Sequence, residues 1–288
     1  MSRLLLSASL VIVLLSASLA GDQHTDRHLE QGSLYLDKGL LEDAINEYKE
    51  ALRLNPYDPV AHNNLGNAYA EKGLLDEAII EYRQALTIKP DLIEAHYNLG
   101  NSYLKKGLLE EAIREYGRAL EIKPDYADAH NNLGVAYVER GLPEEAVREC
   151  REAVRINPYL ASAHYNLGYA YHSKGLLDEA IGEYEEALRL RADYVEAHNN
   201  LGVAYSRKGL LDRAVGQCQE AARLQPDCAD AHYNLGCFHS LQGKPEESLR
   251  SLERAIALNP RCAETAKTDE DFKNLRQNPT FRRLVGLD

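Results

Sequence analysis

Seven histidines, His28, His62, His96, His130, His164, His198 and His232, stand 34 residues apart. A row of imidazoles could ligate metal or switch protonation near neutral pH. Geometry excludes a shared ion. Equivalent residues on neighbouring helices lie about 8–10 Å apart, whereas a common ion needs ligand nitrogens at about 2 Å. Packing beneath the chain explains them instead, and rings buried in the neutral form would weaken the fold in acid. Asparagine recurs with the same step at Asn64, Asn98, Asn132, Asn166, Asn200 and Asn234. It is a poor helix former, yet its amide offers two donors and an acceptor, so a ladder of amides can hold an extended peptide backbone whatever its sequence. Hydrogen bonding within each local unit, copied by duplication, accounts for the same residues. Both readings stay open on sequence.

The residue before each of these asparagines alternates: Asn63, Tyr97, Asn131, Tyr165, Asn199, Tyr233. Tyrosines facing a groove would grip side chains between rungs, apolar on the ring and polar at the tip, although duplication of a two-repeat unit also yields the alternation. Asn67, Asn101, Tyr169 and His172 fall on the same side. The five cysteines, Cys150, Cys218, Cys228, Cys237 and Cys262, form no C-x-x-C pair. An odd number leaves a free thiol or an intermolecular bridge, and Cys150 and Cys218, standing where other copies carry tyrosine, read as small buried hydrophobes. No catalytic constellation emerges. Acidic pairs begin helices, lysines end them, and neither a phosphate loop nor a nucleophile elbow is present. The expectation is a protein that is no enzyme, with no catalytic residues, no metal and no cofactor.

The elements that must position these residues follow from the same period. Gly32, Gly66, Gly100, Gly134, Gly168, Gly202 and Gly236 keep the 34-residue step, as do Gly39, Gly73, Gly107, Gly141, Gly175, Gly209 and Gly243. Pro56, Pro90, Pro124, Pro158, Pro226 and Pro260 close the copies, with Ala192 the one departure. Such a period means stacked repeats. In the copy that starts near Ala95, apolar and small residues at 95, 99, 100, 103 and 104 give an amphipathic helix to Lys106. Gly107 ends it in the left-handed conformation. Glu110 and Glu111 then open a second helix to about Ile122, and Pro124 stops it. A helix glycine costs about 1 kcal/mol relative to alanine, so Gly100 is expected to face Ala112 and let the two helices pack backbone to backbone. Tyrosines at the repeated places of Tyr103 and Tyr116 read as core.

These residues resemble the tetratricopeptide repeat. Counting Thr25 as position 1, Leu holds position 7, Gly 8, an aromatic 11, a small residue 20, Ala 27 and usually Pro 32. Histidine replaces the tryptophan frequent at position 4. The resemblance implies an all-α fold, a right-handed α-solenoid superhelix of seven helix–turn–helix repeats at 25–58, 59–92, 93–126, 127–160, 161–194, 195–228 and 229–262. A C-terminal cap at 263–288 would follow, with short helices at 268–276 and 278–285. In that family first helices line a concave groove. The asparagines are similar to the ladder in the repeat region of O-linked N-acetylglucosamine transferases, here without a catalytic domain, whose groove binds polypeptide. The implied peptide-binding residues are Asn64, Asn67, Tyr97, Asn98, Asn101, Asn132, Tyr165, Asn166, Tyr169, Asn200, Tyr233 and Asn234. Position 5 lacks the lysine of carboxylate-clamp members, and Asp26, Glu94, Asp128, Glu196 and Asp230 make the face acidic, so a neutral or basic peptide is expected.

Residues 1–20 carry one arginine, an apolar run and small residues ending Ser18-Leu19-Ala20. This is the layout of a cleaved secretory signal. The run is shorter than the roughly 20 residues of a spanning helix, and membrane contact is expected only if the segment stays uncleaved as an anchor facing outside. With 33 basic and 45 acidic side chains and a net charge of −12, the chain lacks the basic surface that nucleic acid demands. The sequence thus predicts an exported adaptor, periplasmic or secreted, that binds an extended polypeptide or partner protein. A self-associating scaffold and a substrate-presenting accessory of a separate enzyme are the alternatives.

Overall fold

The computed structural model describes residues 24–287, and every regular element among them is helical. The leader reading lies outside the described residues. Helix α1 spans 24–37, followed by α2 (Leu41–Leu54), α3 (Pro59–Glu71), α4 (Leu75–Ile88), α5 (Ile93–Lys105), α6 (Leu109–Ile122) and α7 (Ala127–Glu139). Then come α8 (Pro143–Ile156), α9 (Ala161–Ser173), α10 (Leu177–Leu190), α11 (Val195–Arg207), α12 (Leu211–Leu224), α13 (Ala229–Leu241) and α14 (Pro245–Leu258). The chain divides into two compact units, unit 1 to Ala136 and unit 2 from Tyr137, the division falling inside α7. Within each unit a first helix packs on its own second helix, and that second helix on the next first helix.

Each hairpin turns where a glycine takes positive φ, as at Gly73 (83°), Gly107 (72°), Gly175 (77°) and Gly209 (75°). Around Gly107 the amide N–H groups of Gly107 and Leu108 donate to the carbonyls of Leu104 and Tyr103, both at 2.9 Å, closing the first helix. Second helices open on acids, Asp76 and Glu77 in α4 and Glu110 and Glu111 in α6, where the helix dipole favours negative charge.

The helix glycines serve a different contact from the one expected. A Cβ on Gly100 would stand 2.7 Å from the Tyr116 ring, and one on Gly66 would stand 2.6 Å from Tyr82. The ring one turn beyond Ala112 fills the space, so in unit 1 the glycine admits an aromatic edge. In unit 2 the backbone does approach: a Cβ on Gly168 would stand 2.8 Å from the Tyr184 ring and 3.2 Å from the Ala180 carbonyl, and one on Gly202 would stand 2.7 Å from Cys218 Sγ and 3.1 Å from the Ala214 carbonyl. The repeated tyrosines are core, with Tyr48, Tyr82, Tyr116, Tyr184 and Tyr205 fully buried. Cys150 and Cys218 are buried too, and burial pushes both thiols up to about 12.

Unit 2 ends in α15 (Arg261–Thr268), a 3-10 turn (Glu270–Leu275) and α16 (Pro279–Val285). The segment expected as a helix at 268–276 is therefore split. Asp269 accepts from the Asp271 amide at 3.0 Å, starting the 3-10 turn instead of prolonging α15. Phe272 and Phe281 are fully buried, and the Phe272 ring stacks on Tyr233 (5.7 Å) and Phe281 (5.6 Å). These aromatics cover the last hairpin as a solenoid end requires.

Candidate peptide-binding site

In unit 1 the asparagines form a network between consecutive first helices. Asn98 on α5 donates its amide to Asn63 Oδ1 (3.2 Å) and Asn67 Oδ1 (2.9 Å) on α3. Asn132 on α7 donates to the Tyr97 hydroxyl (3.1 Å) and Asn101 Oδ1 (2.9 Å) on α5. From beneath, the Tyr82 hydroxyl donates to Asn67 Oδ1 (2.8 Å) and the Tyr116 hydroxyl to Asn101 Oδ1 (2.7 Å). Each position-9 oxygen thus takes two donors. That pins its amide, because the acceptor must point inward and the NH2 outward.

The roles expected along the ladder are therefore exchanged. At Asn98 and Asn132, position 6, the donors are consumed in bracing one hairpin to the one before. One turn on, at position 9, Asn67 and Asn101 enter the brace through their oxygens, and the Asn101 side chain also bonds the Tyr97 hydroxyl. Asn67, Asn98 and Asn101 line one cavity of about 280 Å3 together with Leu36, Glu71, Tyr82, Ser102 and Lys105. The side chains of Glu71 and Lys105 are exposed and join no ion pair or hydrogen bond with another described residue. Asn64 is half-buried, and its Oδ1 accepts from Asn63 at 3.4 Å.

The tyrosines expected to grip a ligand are instead held in the fold at their tips. Tyr97 stacks on Tyr126 at 5.0 Å, and its hydroxyl accepts from Asn132. Tyr165 stacks on Tyr194 at 4.9 Å, and its hydroxyl accepts from Asn200 at 2.9 Å. Tyr233 donates its hydroxyl to Asp269 Oδ2 at 2.7 Å, and Asn234 donates to Asn199 Oδ1 at 2.9 Å. Asn166 is half-buried on α9. Tyr165, Tyr194 and Arg191 share a second cavity of about 550 Å3 within unit 2, with the Arg191 guanidinium 3.2 Å above the Tyr194 ring. Position 34 was missed on sequence, yet a signal was present, since Tyr126 and Tyr194 each follow Tyr97 and Tyr165 by 29 residues.

The first-helix face of unit 2 has no free amide at position 9. Tyr169 stands there 44 % exposed, and Val203 one repeat on. Without the asparagine acceptor, the Tyr184 hydroxyl is buried with no partner among the described residues. Burial, aided by Arg207, holds the His172 imidazole below its usual range. Cys237, Asp269 and Asp271 lie close together, but Asp269 is committed to Tyr233 and to the Asp271 amide.

Four of the position-4 histidines, His62, His96, His164 and His198, are bonded at both ring nitrogens, which departs from neutral packing. His62 Nδ1 meets Glu81 at 2.6 Å and Nε2 the Pro56 carbonyl at 3.2 Å, and His96 meets Glu115 at 2.7 Å and the Pro90 carbonyl at 3.0 Å.

Comparison with known proteins agrees with this architecture. The TPR repeat family matches at 32–73, 66–107, 100–141, 136–175 and 168–209, and the tetratricopeptide repeat at 195–228 and 229–262. No curated protein matches the sequence. Among solved structures, YrrB, described as a TPR protein with an unusual peptide-binding site, is 26 % identical, with 64 % of this chain and 95 % of YrrB covered and a TM-score of 0.53. MamA is 28 % identical over 61 % of this chain and 96 % of its own, with a TM-score of 0.53. A tetratricopeptide repeat protein from Parabacteroides merdae, 20 % identical over 92 % of this chain and 99 % of its own with a TM-score of 0.68, shares the fold. With repeat matches running from residue 32 to residue 262, the chain belongs to the tetratricopeptide repeat family and is built as a protein-interaction scaffold.

Proposed function

We propose that the protein is an exported, non-catalytic adaptor whose unit 1 holds an extended peptide along α3 and α5. The observation that carries this reading is that Asn67 Oδ1 and Asn101 Oδ1 each take two donors, which leaves an N–H of each amide for a ligand. Neighbouring helices are about 8–10 Å apart, and an extended chain advances about 3.3 Å per residue. The two amides therefore meet main-chain carbonyls two to three residues apart. Asn98 Oδ1 serves as acceptor for a peptide N–H between them, and Glu71 and Lys105 flank the strand with one charge each. Acids outnumber bases on the face, with Asp26, Glu94 and Asp128 beyond the cavity, which favours a neutral or basic segment. YrrB is described as peptide-binding, which supports the reading by likeness. Export rests on the leader pattern at residues 1–20.

The test is a conservative pair, Asn67→Asp with Asn101→Asp. It keeps the oxygens that brace the fold and removes the outward donors. Unstructured peptides that bind the full chain in a fluorescence-polarisation screen should lose about tenfold in affinity, as two hydrogen bonds of roughly 0.5–1.5 kcal/mol imply. Binding untouched by the pair but lost on Tyr169→Ala would move the site to unit 2 and overturn this assignment.

A further inference from the structure

His62 and His96 pose a proton-counting problem that their surroundings resolve. A neutral imidazole carries one donor and one acceptor, yet each ring faces acceptors on both sides: a glutamate carboxylate at Nδ1 and a backbone carbonyl at Nε2. Either neutral tautomer aims a lone pair at an oxygen lone pair. Only the imidazolium donates to both. The charged groups acting on His62 are Glu81 from α4 and Asp58 from the turn before α3, both acids. On His96 they are Glu115 from α6 and, opposing it, Arg118 from the same helix, while Arg83, Glu111 and Arg114 line the open groove beside the ring.

The carbonyl partners make this a property of the joints. Pro56 and Pro90 end the preceding repeats, whereas Glu81 and Glu115 belong to the histidine's own second helix. Each ring therefore ties a hairpin to the last turn of the one before. We propose that unit 1 has acid-tightened joints: on mild acidification, protonation of His62 and His96 fastens hairpin to hairpin, and deprotonation loosens them.

The Glu81 bond is the main force holding the His62 imidazole above its usual range. At His96 burial opposes the charge, but the Glu115 and Pro90 bonds outweigh it and the net direction is again upward. A folded-state pKa above the unfolded one gives stability that is complete below the unfolded value, about 6.5, and lost as pH rises through the folded value. The device thins out within unit 2. Glu183 still serves His164 at 2.7 Å, Gln217 replaces the acid at His198, also at 2.7 Å, and Ser251 stands where His232 would need one. The proposal holds whether or not the amide cavity takes a peptide.

The experiment is an NMR titration of the imidazole signals in the full chain, assigned by His62→Gln and His96→Gln, paired with urea unfolding at pH 6 and pH 8. Both titration midpoints should exceed the ordinary 6.5, and the urea midpoint should be higher at pH 6. Glu81→Gln with Glu115→Gln should lower the midpoints by about one pH unit and flatten the pH difference. The glutamine that faces His198 shows that this pairing fits the fold. As the reverse change, Gln217→Glu should add acid-side stability at its own joint. Midpoints at or below 6.5, or a pH difference that survives both glutamate substitutions, would overturn the proposal.

Discussion

The two units repeat one hairpin but dress its first-helix face differently. In unit 1 position 9 carries Asn67 and Asn101 above Tyr82 and Tyr116, and hydroxyl and amide satisfy each other. In unit 2 position 9 of the sixth repeat is Val203, and Cys218 replaces the tyrosine beneath it. Polar partners have gone together. The fifth repeat broke the pairing, keeping Tyr184 while Tyr169 took the place of the asparagine, and a buried orphan hydroxyl is the result. Amide and hydroxyl are thus a single physical unit, since losing one partner strands the other in a dry interior.

The sharpest way to break this comparison is through the glycines. Gly100→Ala drives a methyl into the immobile Tyr116 ring and should cost unit 1 about 2 kcal/mol, read by hydrogen exchange of α5 and α6. Gly236→Ala meets no atom nearer than 3.4 Å and should gain roughly 0.5–1 kcal/mol from helix propensity. Equal effects would show that aromatic filling is not what separates the third repeat from the seventh. Next in size, Asn98→Ala removes two bonds and should cost about 1–2 kcal/mol, whereas Asn234→Ala, which removes the bond to Asn199, should cost about half as much. Smallest, Tyr116→Phe should lose about 1 kcal/mol and Tyr184→Phe nothing, or show a slight gain, because only the first hydroxyl has a partner to lose. Thermal unfolding of the two variants side by side checks this last pair.

The fold was legible because its determinants are local. Gly107 needs positive φ whatever surrounds it, Glu110 and Glu111 prefer a helix start, and the period multiplies each signal seven times. The candidate site was half legible. Asparagine at position 6 announced a ladder, but whether an amide offers its nitrogen or its oxygen depends on neighbours 31 and 35 residues away, as Asn98 with Asn67 and Asn63 makes plain. Gly100 was matched to the residue directly opposite when the large ring one turn further had the reach. The histidine partners were readable in principle, since Glu47, Glu81, Glu115, Glu149 and Glu183 each follow a histidine by 19 residues. The second acceptor, a carbonyl six residues before each ring, becomes visible only in the folded turn.

The bond between Tyr233 and Asp269 joins the last hairpin to the cap. Tyr97 and Tyr165 each receive a proton donor 35 residues on, from Asn132 and Asn200, so another hairpin can always follow. Tyr233 meets, 36 residues on, an oxygen that can only receive. The direction of donation reverses at that step, where the cap begins. The cap thus takes hold of the last of these tyrosines by its proton, where a following repeat takes hold of Tyr97 and Tyr165 by a lone pair.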